Sequence, residues 1–106
     1  MGELIDYKGI LPGRKSISNL ANGESYNILI PNNSTIFIMY ESNAYNGIFK
    51  IICNRKNVRS IINDETFSTI KDTSGKINIY FSDTDANVIC IQNKLGADRN
   101  IYYSVI

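Results

Sequence analysis

Apolar and polar positions alternate most cleanly from Lys76 to Ser82, where Ile77, Ile79 and Phe81 share one face and Asn78, Tyr80 and Ser82 the other. A period of two is that of a strand buried on one side. Tyr26, Ile28 and Ile30 alternate with Ser25, Asn27 and Leu29, and Ile48 to Cys53 sets Phe49, Ile51 and Cys53 on one face. Two runs depart from this rule. In Thr35 to Glu41, Phe37 and Met39 oppose Ile36 and Ile38; in Val88 to Ile91, Val88 and Cys90 oppose Ile89 and Ile91. Further strands are expected at Glu3 to Lys8, Lys15 to Leu20, Val58 to Ile62, Thr66 to Ile70 and Ile101 to Ile106. Val58, Ile61 and Ile62 also fit helical spacing.

Turn residues separate these runs. Asn22-Gly23 is the clearest hairpin signal, because both residues tolerate the positive φ angles of a tight primed turn. Pro31 to Ser34, the polar loop Ser42 to Gly47, Asn54 to Asn57, Lys71 to Gly75, Asp83 to Asn87 and Leu95 to Asn100 carry the same chemistry. Roughly eight to ten short strands, with turn signals roughly every eight to twelve residues, predict an all-β fold: an antiparallel, jelly-roll-like β-sandwich in a single domain spanning 1–106.

A strand apolar on both faces needs cover on both faces, whereas a small sandwich leaves each sheet one wet side. Phe37, Met39, Val88 and Cys90 are therefore candidate contacts with another copy of the chain, and a loop of the same chain is the alternative cover. At 106 residues, the chain can bury about two thirds of its unfolded surface, enough for one core. Its hydrophobic residues, 43% of the total, are led by Ile with Tyr, Phe and Val beside it, types that suit a pleated surface.

A net charge of +1 argues against a nucleic-acid partner or an anionic membrane. The nearest thing to a basic patch is Lys50, Arg55, Lys56 and Arg59, read as solvated surface ahead of an anion site. No apolar run approaches the roughly 20 residues of a spanning helix, so no membrane insertion is expected. The start Met1-Gly2-Glu3 lacks the basic and then apolar regions of a signal peptide, which predicts synthesis in the cytoplasm. That start also suits an excised C-terminal piece of a longer protein.

Histidine is absent, which removes Ser–His and Cys–His nucleophile pairs and the commonest general base. The carboxylates lie in or beside turns, so no enzyme is expected, and no cofactor or metal is implied. Cys53 and Cys90 sit in apolar runs and read as buried thiols, with a disulfide across two sheets left open. Asp83-Thr84-Asp85 opens like a calcium loop, but Val88 stands where that loop needs Gly and Lys94 where it needs Glu. Sugar recognition needs aromatic faces beside amides or carboxylates. Tyr40, Glu41, Asn43, Tyr45 and Asn46 supply that mixture around one loop, and Tyr80 and Tyr102 or Tyr103 add further rings.

The stretch Leu20-Ala21-Asn22-Gly23-Glu24-Ser25-Tyr26 leading to Pro31, then Ser34 to Met39, Lys76 to Phe81 and the closing Ile101 to Ile106, resembles small β-sandwich domains that close phage tail fibre and appendage proteins. The resemblance implies a non-catalytic virion part, structural or receptor-binding, located in the virion. It also implies a homotrimer as the favoured oligomer, with a cell-surface glycan or protein as receptor. A carbohydrate-binding module of a secreted protein is the alternative, and a small carboxylate-dependent enzyme the second.

Overall fold

The computed structural model describes residues 14–40, 45–63 and 65–106, with the side chains at 45, 46 and 54 outside that description. Its strands are β1 (Lys15–Leu20), β2 (Ser25–Leu29), β3 (Thr35–Tyr40), β4 (Tyr45–Ile52), β5 (Asn57–Asn63), β6 (Phe67–Ser68), β7 (Ile77–Phe81), β8 (Val88–Asn93) and β9 (Arg99–Val105). They form two packed sheets, one in the order β1-β9-β3-β4-β5 and the other β2-β8-β7-β6. Every pairing is antiparallel except β6 with β7. The wrap is jelly-roll-like, because the first two described strands, β1 and β2, pair with the last two, β9 and β8, one pair in each sheet. Among the described residues no helix is long and apolar enough to cross a membrane.

The inward faces follow from the period of two. Ile36, Ile38, Phe49, Ile51 and Ile101 from the larger sheet meet Ile77, Ile79, Ile89 and Ile91 from the smaller, all essentially without exposure. Each such side chain contributes about 1.5–3 kcal/mol of burial, set against the ordering entropy of the chain. Phe49 and Phe67 meet edge to face with centroids 6.0 Å apart. A Cβ on Gly47 would lie 2.6 Å from the Phe49 ring and 2.9 Å from that of Phe67, so only glycine fits there. Both cysteines are buried free thiols.

Several expectations change. The Asn22-Gly23 turn does not make a hairpin: β1 and β2 belong to different sheets. Glu24 N–H bonds the Ala21 carbonyl at 3.0 Å, and Gly23 has φ +89° while Asn22 is not among the residues with positive φ. That is the pattern of a type II turn, which needs one left-handed residue and lets the flanking strands splay apart. The expected strand Thr66 to Ile70 shortens to the two residues of β6, since Ser68 Oγ and Thr73 Oγ1 hydrogen-bond each other and organise a turn. The loop expected from Ser42 to Gly47 is shorter, because β4 already begins at Tyr45, opposite Tyr40. Cys53 leaves its strand and opens a single 3₁₀ turn, Cys53–Arg55, capped by Lys56 in the left-handed region. Val58 to Ile62 is strand, within β5. The strand expected from Glu3 to Lys8 lies outside the described residues.

Candidate functional site

Of the predicted sugar loop, Glu41 and Asn43 lie outside the described residues, and so do the side chains of Tyr45 and Asn46. Tyr40 is buried, facing the core beside Ile101 with the Arg99 guanidinium 5.6 Å from its ring centroid, so its face is not open for stacking. Tyr103 is likewise buried, and Tyr102 lies under Arg14, 4.3 Å from the ring centroid. Among the described rings singled out, Tyr80 is the one beside a polar concavity.

That concavity lies on the outer face of the four-stranded sheet. The register sets Ser25, Gln92, Asn78 and Ser68 in one row across β2, β8, β7 and β6, and Asn27, Cys90 and Tyr80 in the next. Because neighbouring strands stand about 4.8 Å apart, each row is a ladder of adjacent side chains. The segment between β6 and β7 folds over the first row. Gln92 Oε1 accepts from Asp72 N–H and from Asn78 Nδ2, both at 2.9 Å, while Gln92 Nε2 donates to Asp72 Oδ1 at 2.8 Å. Asn78 Nδ2 also donates to the Thr73 carbonyl at 3.1 Å. Asn78 is fully buried, so β7 does not have the wet outer face its alternation predicts. Asn78 Oδ1 has no hydrogen-bond partner among the described residues, a cost of about 1–3 kcal/mol. The row thus fixes Asp72 in place at some expense to stability.

Beyond this row opens a cleft of about 500 Å³ whose lining includes Ser25, Asn27, Asp72, Tyr80, Cys90 and Gln92, with Lys71 and Asp83 as its further charged groups. That volume falls within the range of small-molecule sites, ~300–1,000 Å³. Lys71 Nζ stands 5.8 Å from the Tyr80 ring centroid and 3.9 Å from Asp83 Oδ2. Both charged partners are largely exposed, so the ion pair itself adds little. Cys90 Sγ donates to Asn27 Oδ1 at 3.2 Å. Burial, with the neighbouring Asp83 charge, pushes the Cys90 thiol up despite Lys71, so it stays protonated at neutral pH. Burial and Cys90 likewise push the Tyr80 hydroxyl up, leaving a neutral phenol beside Ser25. Chemically the cleft offers amides, hydroxyls, two carboxylates, an ammonium and an aromatic wall.

The four candidate interface residues do not form one patch. Phe37 and Met39 lie half-buried on the outer face of the five-stranded sheet, whereas Val88 and Cys90 lie on the outer face of the other. Cys90 is 8% exposed and is covered by its own neighbours Asn27 and Tyr80. The basic patch divides too. Lys50 and Arg59 are directly opposed on the larger sheet, while Arg55 and Lys56 sit on the turn beside β7. Sequence reasoning passed over Ser25, Asn27, Asp72 and Gln92. The alternation of β2 set Ser25 and Asn27 on one face, but only the order β2-β8-β7 brings them beside Gln92, Cys90 and Tyr80.

Comparison with protein-family models, with curated proteins and with solved structures yields no match.

Proposed function

We propose that this chain is a non-catalytic binding module whose ligand is a saccharide laid across the outer face of the four-stranded sheet. The observation that carries the reading is the pair of polar rows lining the cleft, Ser25–Gln92 and Asn27–Cys90–Tyr80, with the Tyr80 ring as an aromatic wall and Asp72 held in place by Gln92. Sugar hydroxyls are matched by amide and carboxylate groups that hold a fixed geometry, and a sugar's C–H face is matched by a ring. Held rotamers lower the entropy lost on binding. In line with the sequence resemblance, the module serves as a receptor-binding or structural part of a virion, a homotrimer recognising a cell-surface glycan.

An array of neutral and acidic oligosaccharides, followed by amide shift mapping with the strongest binder, tests this. Shifts should cluster at Tyr80, Gln92 and Asn27, and Tyr80→Ala should reduce affinity at least about tenfold. Shifts confined to the opposite sheet would refute the cleft. Light scattering checks the trimer, and a monodisperse monomer at micromolar concentration removes it.

One observation favours a second reading, a carboxylate-dependent enzyme: Asp72 and Asp83 line the same cleft. The Asp83 side chain is 86% exposed, so that carboxylate faces water and not an enclosed reaction site. Release of reducing ends from a bound glycan, lost in Asp72→Asn, would establish that reading instead.

A further inference from the structure

Tyr80 belongs to two cavities. On its other side, where β5 lies beside β7, a notch of about 330 Å³ is lined by Arg55, Lys56, Asn57, Val58, Thr69 and Phe81 together with Tyr80. The two sides differ in charge. The larger cleft carries Asp72 and Asp83 against Lys71, while among the described residues the notch is lined by two cations and no carboxylate.

The cations of the notch stand on a braced turn. Asn32 Oδ1 accepts from the Cys53 N–H at 2.7 Å, Cys53 Sγ lies 3.7 Å from the Ile30 carbonyl, and the Lys56 N–H bonds the Cys53 carbonyl at 3.1 Å. Lys56 itself is held at φ 48°, a left-handed conformation that costs a side-chain-bearing residue roughly 1–2 kcal/mol. Such strain is retained where the surroundings over-determine it, and it clusters at ligand-facing positions. Lys50 and Arg59 are not part of this group: they are opposed within β4 and β5 and do not line the notch, and Lys50 Nζ donates to the Asn33 carbonyl at 2.6 Å.

We infer that the ligand is an acidic saccharide that straddles Tyr80, with a hydroxyl-bearing unit in the larger cleft and a carboxylate or sulfate of the adjoining unit in the notch between Arg55 and Lys56. The inference rests on the saccharide reading above and adds the charge and the length of the ligand. Charge-assisted hydrogen bonds from a guanidinium and an ammonium select an anion at that position, and Asp72 and Asp83 disfavour one at the other end.

The test is an array of matched pairs: sialylated and desialylated, sulfated and desulfated, and oligogalacturonate against its methyl ester. Each acidic member should bind about tenfold more tightly than its neutral partner at low salt, and the advantage should shrink as salt screens it. The double variant Arg55→Ala, Lys56→Gly should erase the advantage while leaving the neutral partners bound as before. Lys50→Ala with Arg59→Ala should change neither. Equal binding within the pairs, or an acidic preference that survives the double variant, overturns this inference and leaves the saccharide reading standing. An array with no bound member at all, neutral or acidic, overturns both. A thymidylate oligomer that displaces the acidic glycan with equal affinity also overturns it, since that is the behaviour of a general polyanion site.

Discussion

The two outer faces of this sandwich are built on opposite principles. On the five-stranded sheet, Phe37, Met39, Ile48 and Tyr102 stand half-buried and Ile62 is 52% exposed, an apolar surface bordered by the opposed cations Lys50 and Arg59. On the four-stranded sheet Ser25, Asn27, Asn78, Tyr80, Cys90 and Gln92 make two polar rows bound into a network with Asp72, and only the next row, Leu29 and Val88, is apolar. Apolar contact is non-directional and tolerates change, whereas a buried polar network fails when one member is lost. The contrast teaches that the outer face of the smaller sheet is built to hold a fixed geometry and that of the larger to tolerate substitution.

The largest effect should come from removing what both faces depend on. β9 lies between β1 and β3, and Tyr103 pairs with Lys15 on one side and Ile38 on the other. Deleting Tyr103 to Ile106 should abolish cooperative melting as followed by circular dichroism; unchanged melting would break the account of the fold.

The contrast itself is tested by a matched pair of outward residues. Gln92→Ala leaves the Asp72 N–H and Asn78 Nδ2 without their shared acceptor and should cost about 1–3 kcal/mol in urea denaturation. Met39→Ala, on the opposite face, should cost about 1 kcal/mol or less, because its side chain is already partly in water. The reverse order would invert the comparison.

The edge where the two sheets meet supplies a pH test. Tyr26 from β2 and Tyr103 from β9 stand with ring centroids 6.2 Å apart. Burial, the Tyr26 charge and a hydrogen bond with Tyr26 push the Tyr103 hydroxyl from its ordinary 10.0 up to about 12. The folded state therefore holds a proton that the unfolded chain releases first. This contribution is fully present below pH 10 and is lost as pH rises toward 12. Tyr103→Phe should flatten that part of the stability profile, and an unchanged slope would show that other groups govern it.

The smallest effect belongs to the notch. Lys56→Gly should stabilise the fold by up to about 1 kcal/mol, since glycine adopts the left-handed region freely and loses part of that gain through unfolded-state entropy. A destabilised variant would mean that the lysine stem packs against Val58 or Phe81 more than its backbone strains.

Much of the sandwich was legible from alternation alone, because the inward residues of β4 and β7 are those the period of two selects. The turn chemistry of Pro31 to Ser34 was legible as well: Ser34 N–H and Oγ both donate to the Pro31 carbonyl, at 3.3 and 2.6 Å. The Asn22-Gly23 turn was misread because the same dipeptide serves a hairpin or a crossing between sheets, according to whether one or two residues take positive φ. Among the described rings that the sequence singled out, Tyr80 lines the cleft, and Cys90 lines it as well.

The sequence by itself determined the period of two, the inward set of isoleucines and the absence of histidine chemistry, all of them local or compositional properties. Only the tertiary structure decided which outward residues are neighbours. Asn27, Cys90 and Tyr80 come from three strands widely separated along the chain, and their row exists because β2 pairs with β8 and β8 with β7. Strand order is a long-range choice made by burying both inner faces at once, and no local pattern encodes it.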